Sequence, residues 1–453
     1  MTLGFQRFRV PLICVLLSEV FALAFPSQTG HAQTASTYDI GRIERGQIKP
    51  EVIAVPQVEA LAGSSPIPNA GVIVETIYRN LEISGVFARP SNPQFVAEQR
   101  RHDREAGKID YAEWRRLGAN YLAVGRIAAD GDRLRAEVEL FGIDDSLRIF
   151  GNEYKDFKAS SPRMLGRRVA DDIVVKVRGG KGLALTQIAY VSASGRNAKE
   201  IWVMCADGED KRQVTHDGSL VVAPCWGENG TELYFTSYRD RNPDLCGARV
   251  DGSQSWYISR YPGLNVSPSW SPGTKRIALT MGKDGNSEIY TMDRLGKNPR
   301  RLTYNRAIDE SPCWSPAGNR ICFCSDRSGS PQIYVMDADG LSAKCITVPQ
   351  LHGNYNTSPS WSPKGDRIAY CSRRGTTMDI CVMNVDGSDA MRLTNGPANN
   401  EDPSWSPDGS NIVFTSDRTG SPQIWVMTAD GRNQYCLTSG SANHSPSWGP
   451  FMQ

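Results

Sequence analysis

The stretch Pro403-Ser-Trp-Ser-Pro-Asp-Gly-Ser-Asn-Ile-Val-Phe-Thr-Ser416 continues into Gln423-Ile-Trp-Val-Met427, Ala429-Asp-Gly431 and Leu437-Thr438. Together these segments make one full period of a pattern that fills the last three-fifths of the chain. Its proline and tryptophan return as Pro224-Cys-Trp226, Pro268-Ser-Trp270, Pro312-Cys-Trp314, Pro359-Ser-Trp361 and Pro446-Ser-Trp448, with successive tryptophans 43 to 47 residues apart. A repeat of this length, made of short strands and turn residues, marks a β-propeller with one blade per repeat. Six copies predict six blades.

The strand that follows each tryptophan is apolar and rich in β-branched or aromatic residues, as in Ile188-Ala-Tyr-Val-Ser192, Leu233-Tyr-Phe-Thr-Ser237 and Ile412-Val-Phe-Thr-Ser416. Such composition suits a strand buried on both faces. The Asp-Gly turns between the next two strands use glycine for the positive φ a tight turn needs. Pro-x-Trp is assigned the innermost strand, where the indole fills the wedge between neighbouring blades. The first repeat has no innermost strand before Ile188, and the last Pro446-Ser-Trp448 has no blade after it. Pairing the two closes the ring with a C-terminal strand and removes the open sheet edges.

Residues 33–180 have a different texture and predict an α/β N-terminal domain with a flexible leading segment, ahead of a propeller spanning 181–453. Helices are expected at 69–84, with Asn69 as a cap, at 111–117, stopped by Gly118, and at 161–177, with Ser161 as cap and Pro162 first. Tyr121–Ile127 and Leu134–Phe141 are expected to pair as a hairpin across Asp130-Gly-Asp132. Ahead of this domain, Arg7 and Arg9 precede an apolar run from Val10 to Phe25 and then Gly30-His-Ala32. This is the layout of a signal peptide of residues 1–32, so export to the periplasm is expected. No later segment is apolar enough for a membrane span.

Lys and Arg total 51 against 49 Asp and Glu, with no basic stripe, which argues against a nucleic-acid partner. Ten of the eleven cysteines lie in the repeats. In an oxidising compartment some could pair, and Cys371 with Cys381, flanking one hairpin, are the best candidates. Elsewhere cysteine reads as a small apolar replacement, as Cys313 does at a serine position of the repeat. The chain has no Gly-x-Ser-x-Gly elbow, phosphate-binding loop or His-Glu-x-x-His. His216, His352 and His444 fall in separate inter-blade junctions and read as surface residues. No metal, cofactor or catalytic residue is expected. The Ser-Asp-Arg turns at 325–327 and 416–418 read as structural, with Ser and Asp holding backbone and Arg covering the blade edge. Function is then expected in the variable inter-blade loops, which carry Leu264, Val266, Ile308 and Tyr355 among polar residues.

The blade pattern resembles that of the TolB family, periplasmic components of the Tol-Pal cell-envelope system. The resemblance extends outside the repeats to Ile53-Ala-Val-Pro56, Trp114-x-x-Leu-Gly-Ala-Asn-Tyr-Leu-Ala-Val-Gly125 and Gln187-Ile-Ala-Tyr-Val-Ser192. It implies a monomeric, non-enzymatic adaptor that supports outer-membrane integrity and envelope constriction at division. By position it implies that the loop face receives the peptidoglycan-associated lipoprotein Pal through Leu264, Asn265, Ser267, Arg306, Asp309 and Glu310. The segment carrying Thr34, Tyr38, Asp39, Ile40 and Ile43 would engage TolA. The alternatives are a gating propeller of a peptidase and a metal-dependent carbohydrate-active propeller, since one fold hosts many chemistries.

Overall fold

The structure, a computed structural model, describes residues 49–61, 70–195 and 198–452. The expected signal peptide, the segment from Thr34 to Ile43 and Asn69 lie outside these residues.

The first part is a mixed sheet between helices. Strands β1 (Glu51–Ala54), β2 (Glu59–Ala60), β3 (Phe87–Ala88), β4 (Tyr121–Asp130), β5 (Arg133–Gly142) and β6 (Leu147–Lys158) lie in the order β3-β1-β4-β5-β6, with β2 beside β4. β4 and β5 form the expected hairpin, turning at Gly131 with φ 58°. Side chains alternate across a strand, so Ala123 of β4 enters one core and Leu122 and Val124 enter another. Helices α1 (Ala70–Ile83) and α4 (Pro162–Arg178) cover the first face through Ile73, Ile77, Leu81, Leu165, Val169 and Ile173. Helices α2 (Pro93–Ala106) and α3 (Tyr111–Arg116) cover the second, where fully buried Trp114 donates from Nε1 to Asp103 at 2.7 Å. Ser161 stands at the N-cap of α4 as expected, but its side chain makes no capping hydrogen bond.

Six four-stranded antiparallel sheets follow. Blades 2 to 6 begin with innermost strands Val221–Trp226, Asn265–Ser271, Asp309–Trp314, Asn356–Trp361 and Asn400–Trp405. Blade 1 takes its innermost strand, Asn443–Trp448, from the end of the chain, with Trp448 opposite Ile188. The ring is therefore closed by the C-terminal strand, as the repeats require. The hydrophobic cores lie between blades. Trp226, for example, packs with Ala189, Ile201 and Val203 of blade 1 and with Leu233 and Phe235 of its own blade. Each of the six tryptophans belongs to a different cluster of this kind.

The residue before each repeat proline departs from regular strand geometry. Ala223, Ser267, Ser311, Ser358, Asp402 and Ser445 have φ between 47° and 54°, and the register of the innermost strand shifts there in every blade. A bulge bends a strand and re-aims its side chains. Here it directs the x residue of Pro-x-Trp at the next blade. Ser269 Oγ accepts from Trp314 N at 3.1 Å and Ser404 Oγ from Trp448 N at 3.0 Å, while the Cys225 and Cys313 sulfurs receive Trp270 N and Trp361 N at 3.3 Å. In these four blades the short serine or cysteine at x is thus an acceptor that stitches one blade to the next, while Ser360 and Ser447 accept from Trp405 Nε1 and Trp226 Nε1 through their carbonyls.

The Cys371–Cys381 disulfide is not formed, and no disulfide joins any of the ten cysteines among the described residues. The register explains why. Cys371 lies opposite Ile380, and Cys381 opposite Tyr370. A one-residue offset sends two side chains to opposite faces of a sheet, so Cys381 enters the core shared with blade 4 and Cys371 the core shared with blade 6.

Candidate functional site

Each inter-blade loop reaches the start of an innermost strand, and that position is held from inside. The Leu-Thr ending of the outer strand explains its own recurrence. Thr347 Oγ1 accepts from Ile333 N at 2.9 Å and donates to Gln332 Oε1 at 2.7 Å. The same Gln332 oxygen accepts from Asn356 Nδ2 of the next blade at 2.8 Å. Thr438, Gln423 and Asn443 repeat this chain at 2.7 and 2.8 Å, and Thr303 with Glu288 and Thr394 with Asp379 repeat its first half. Buried polar groups need partners of this kind to offset desolvation. The result is a latch at the mouth of the ring, joining adjacent blades beneath the loops that lead to Asn356 and Asn443.

The Ser-Asp-Arg turns serve the same face. Asp326 and Asp417 accept from the loop amides of Ile308 and Asn399 at 2.8 Å. Arg327 grips Asp309 through two bonds at 2.9 and 2.8 Å, and Arg418 reaches Asn400 Oδ1 at 2.7 Å. Aspartate here fastens the neighbouring loop, not only its own turn.

Against this geometry the six residues expected at the partner face separate. Asn265 and Asp309 are fully buried. Asn265 donates to the carbonyls of Pro243, Tyr261 and Gly263 and accepts from Ser259 Oγ at 2.6 Å, so both residues set loop shape from within. Ser267 and Glu310 are half-buried on innermost strands. Leu264 is half-buried and Arg306 exposed, both in the loops themselves. Sequence reading passed over Tyr304, Val348 and Leu351, which are exposed on the same face. Each precedes or follows a latch threonine or histidine, and that adjacency is the signal that could have found them. Val266, expected as a loop residue, is buried.

His352 is also buried, not a surface residue. Its Nδ1 accepts from Val348 N at 3.0 Å, and its Nε2 lies 3.0 Å from the Gly387 carbonyl. His216 meets Gln213 at 3.0 Å, and burial lowers the His444 imidazole to about 4. Nearer the axis, Asp402 accepts from Ser445 Oγ at 2.9 Å and from Ser358 Oγ at 3.4 Å, bridging three blades, and burial raises its carboxyl. Burial, with Asp402 and Asp417 nearby, raises Glu401 to about 7.

The opposite face of the disc, formed by the Asp-Gly turns, meets α1 and α4. Buried Arg167 of α4 donates to Asp207 from Nε at 2.7 Å and from Nη2 at 3.0 Å, and to Asp210 at 2.5 Å. Asn80 of α1 also donates to Asp207, at 3.2 Å, and Asn411 Nδ2 caps the end of α1 at the Ile83 carbonyl, at 2.7 Å. Asp171 accepts from the Ala184 and Leu185 amides, and burial still raises it to about 6.

The match to known proteins follows both halves. The family model described as the TolB beta propeller domain matches residues 174–381 and 353–452, and that of the TolB amino-terminal domain matches 42–147. The chain belongs to the TolB family. Among curated relatives, the "Tol-Pal system protein TolB" of Desulfosudis oleivorans is 34% identical over 209 residues, 46% of this chain and 47% of the relative. That of Syntrophus aciditrophicus is 37% identical over 180 residues, 39% and 40% of the two chains. The chain thus matches about half the length or less of these relatives. The crystal structure of TolB from Acinetobacter baumannii superposes with a TM-score of 0.76 at 24% identity, covering 89% of this chain and 97% of that one. This likeness extends the shared fold over nearly the whole described chain.

Proposed function

We propose that the chain is a periplasmic, non-enzymatic adaptor of the Tol-Pal system, binding the lipoprotein Pal on its inter-blade loop face. The observation that carries this reading is an asymmetry between the two faces. α1 and α4 meet the Asp-Gly side at blades 1 and 6, whereas on the loop side Tyr304, Val348 and Leu351 are exposed and Leu264 is half-buried, near exposed Arg306. Apolar anchors inside a polar rim are the anatomy of a binding surface. Because latches fix the loops beforehand, little ordering entropy is lost on binding. Arg306 and Glu310 would contact the partner at the rim, while Asn265, Asp309 and Ser267 act by holding loop and strand shape. The segment 34–43 would engage TolA by adding a strand to a partner sheet. Among the described residues no helix is long and apolar enough to cross a membrane.

The test is affinity for purified Pal. Leu264→Arg combined with Arg306→Glu should weaken binding at least tenfold with an unchanged circular dichroism spectrum. Unchanged affinity would remove the loop face from the reading.

A further inference from the structure

Blade 4 differs from the other five at one pair of positions. Across the two inner strands of each blade, the x residue of Pro-x-Trp faces a residue of the second strand: Ser447 faces Ala189, Cys225 Tyr234, Ser269 Ala278, Ser360 Ala369 and Ser404 Val413. In blade 4 the facing residues are Cys313 and Cys322. No other two of the ten cysteines face each other in this way among the described residues. Cys324 lies opposite Ile333, Cys345 opposite Tyr334, and Cys436 opposite Trp425.

We infer that Cys313 and Cys322 form a redox site in which the two thiols close to a cross-strand disulfide. Directly opposed residues of an antiparallel pair have Cα atoms about 4.5–5.5 Å apart, inside the roughly 4.4–6.8 Å span of a disulfide. Both side chains project to the same side of the sheet. The Cys313 sulfur receives Trp361 N, and Cys322 belongs to the core that contains Trp361. The Cys322 thiol also donates to the Cys313 carbonyl at 3.5 Å.

The two thiols are not equivalent. Cys313 is half-buried on the innermost strand, whereas Cys322 is fully buried. A hydrogen bond from Cys322 lowers the Cys313 thiol, while burial raises Cys322. The reaction therefore has an order. Cys313 loses its proton and its thiolate attacks one sulfur of a disulfide oxidant such as oxidised glutathione, expelling one glutathione thiolate and leaving a mixed disulfide. Cys322 then gives up its proton and displaces the second glutathione from Cys313. Two electrons pass to the oxidant, and the innermost strand is tied to its neighbour.

The experiment oxidises the folded full-length mature protein with excess oxidised glutathione, blocks remaining thiols with iodoacetamide in denaturant, and maps it after trypsin digestion without reductant. Cleavage at Arg306, Arg320 and Arg327 places Cys313 in peptide 307–320 and Cys322 in peptide 321–327. A linked pair of these peptides, released by dithiothreitol, is expected, and Cys324→Ser should retain it. Recovery of Cys313 and Cys322 in the alkylated form after oxidation would overturn the inference. Linkage through Cys324, seen by fragmentation of the unaltered protein, would do the same. No partner protein enters the assay, so its outcome is independent of the adaptor reading.

Discussion

On the Asp-Gly side of the disc, a fully buried arginine on a helix is held by two aspartates from a turn of blade 1. On the loop side, buried Asn and Asp residues at the strand starts are held by glutamine from the preceding blade or by arginine just beyond the following strand. The first arrangement joins two parts of the chain. The second is closed on itself, so the side chains it displays are available to another molecule. What separates the faces is where the buried polar partners come from, not how polar each face is.

The largest test of this contrast is Arg167→Leu. It strands Asp207 as a buried carboxylate, a loss of about 3–5 kcal/mol for a broken buried pair. Denaturant unfolding should show that loss, and limited proteolysis should cut near Gly179–Gly182 as the helices lift from the disc. A smaller effect is expected for Asp309→Ala, about 1–3 kcal/mol, because Arg327 and Asn305 lose their acceptor. Proteolysis should then strike the 305–311 loop, leaving 179–182 protected. The reverse cleavage pattern in either variant would break the comparison.

Glu401 sharpens it through pH. Its folded value of about 7 lies above the ordinary value of 4.5, so the unfolded chain ionises first as pH rises. The stability this carboxyl contributes is complete below pH 4.5 and falls away as pH rises through about 7. Glu401→Gln should match the parent near pH 4 and exceed it by up to about 3 kcal/mol at pH 8 in thermal melts. Equal melts at both pH values would show that the carboxyl is not strained by its site. Smallest of all, Leu264→Arg should change stability by no more than about 0.5 kcal/mol, since only its surroundings in the loop are disturbed. Its effect should appear in Pal affinity instead.

Legibility followed local repetition. The hairpin over Asp130-Gly-Asp132 and helices α1, α3 and α4 were visible because apolar spacing and turn residues agreed. Helix α2 was missed because only Val96, Gln99 and Asp103 of its fourteen residues are buried, leaving no apolar stripe. Its ends were readable all the same: Asn92 caps the Gln94 amide ahead of Pro93, and Gly107 closes the helix with φ 67°. Among the site residues, Arg306 is exposed and Leu264 half-buried, both in the loops where the family resemblance put them. Asn265 and Asp309 look identical to surface loop residues in sequence, since their partners lie 2 to 22 residues away.

The sequence by itself determined the number of blades, the wedge tryptophans and the closure by the last strand. These follow from the period of a pattern and from the need to leave no sheet edge unpaired. Tertiary structure alone decided which polar residues turn inward and which cysteines meet. A side chain's direction depends on strand register and on the bulge before each proline, and a shift of one residue sends it to the other face. Cys371 and Cys381 are ten positions apart and look away from each other; Cys313 and Cys322, nine apart, look at each other.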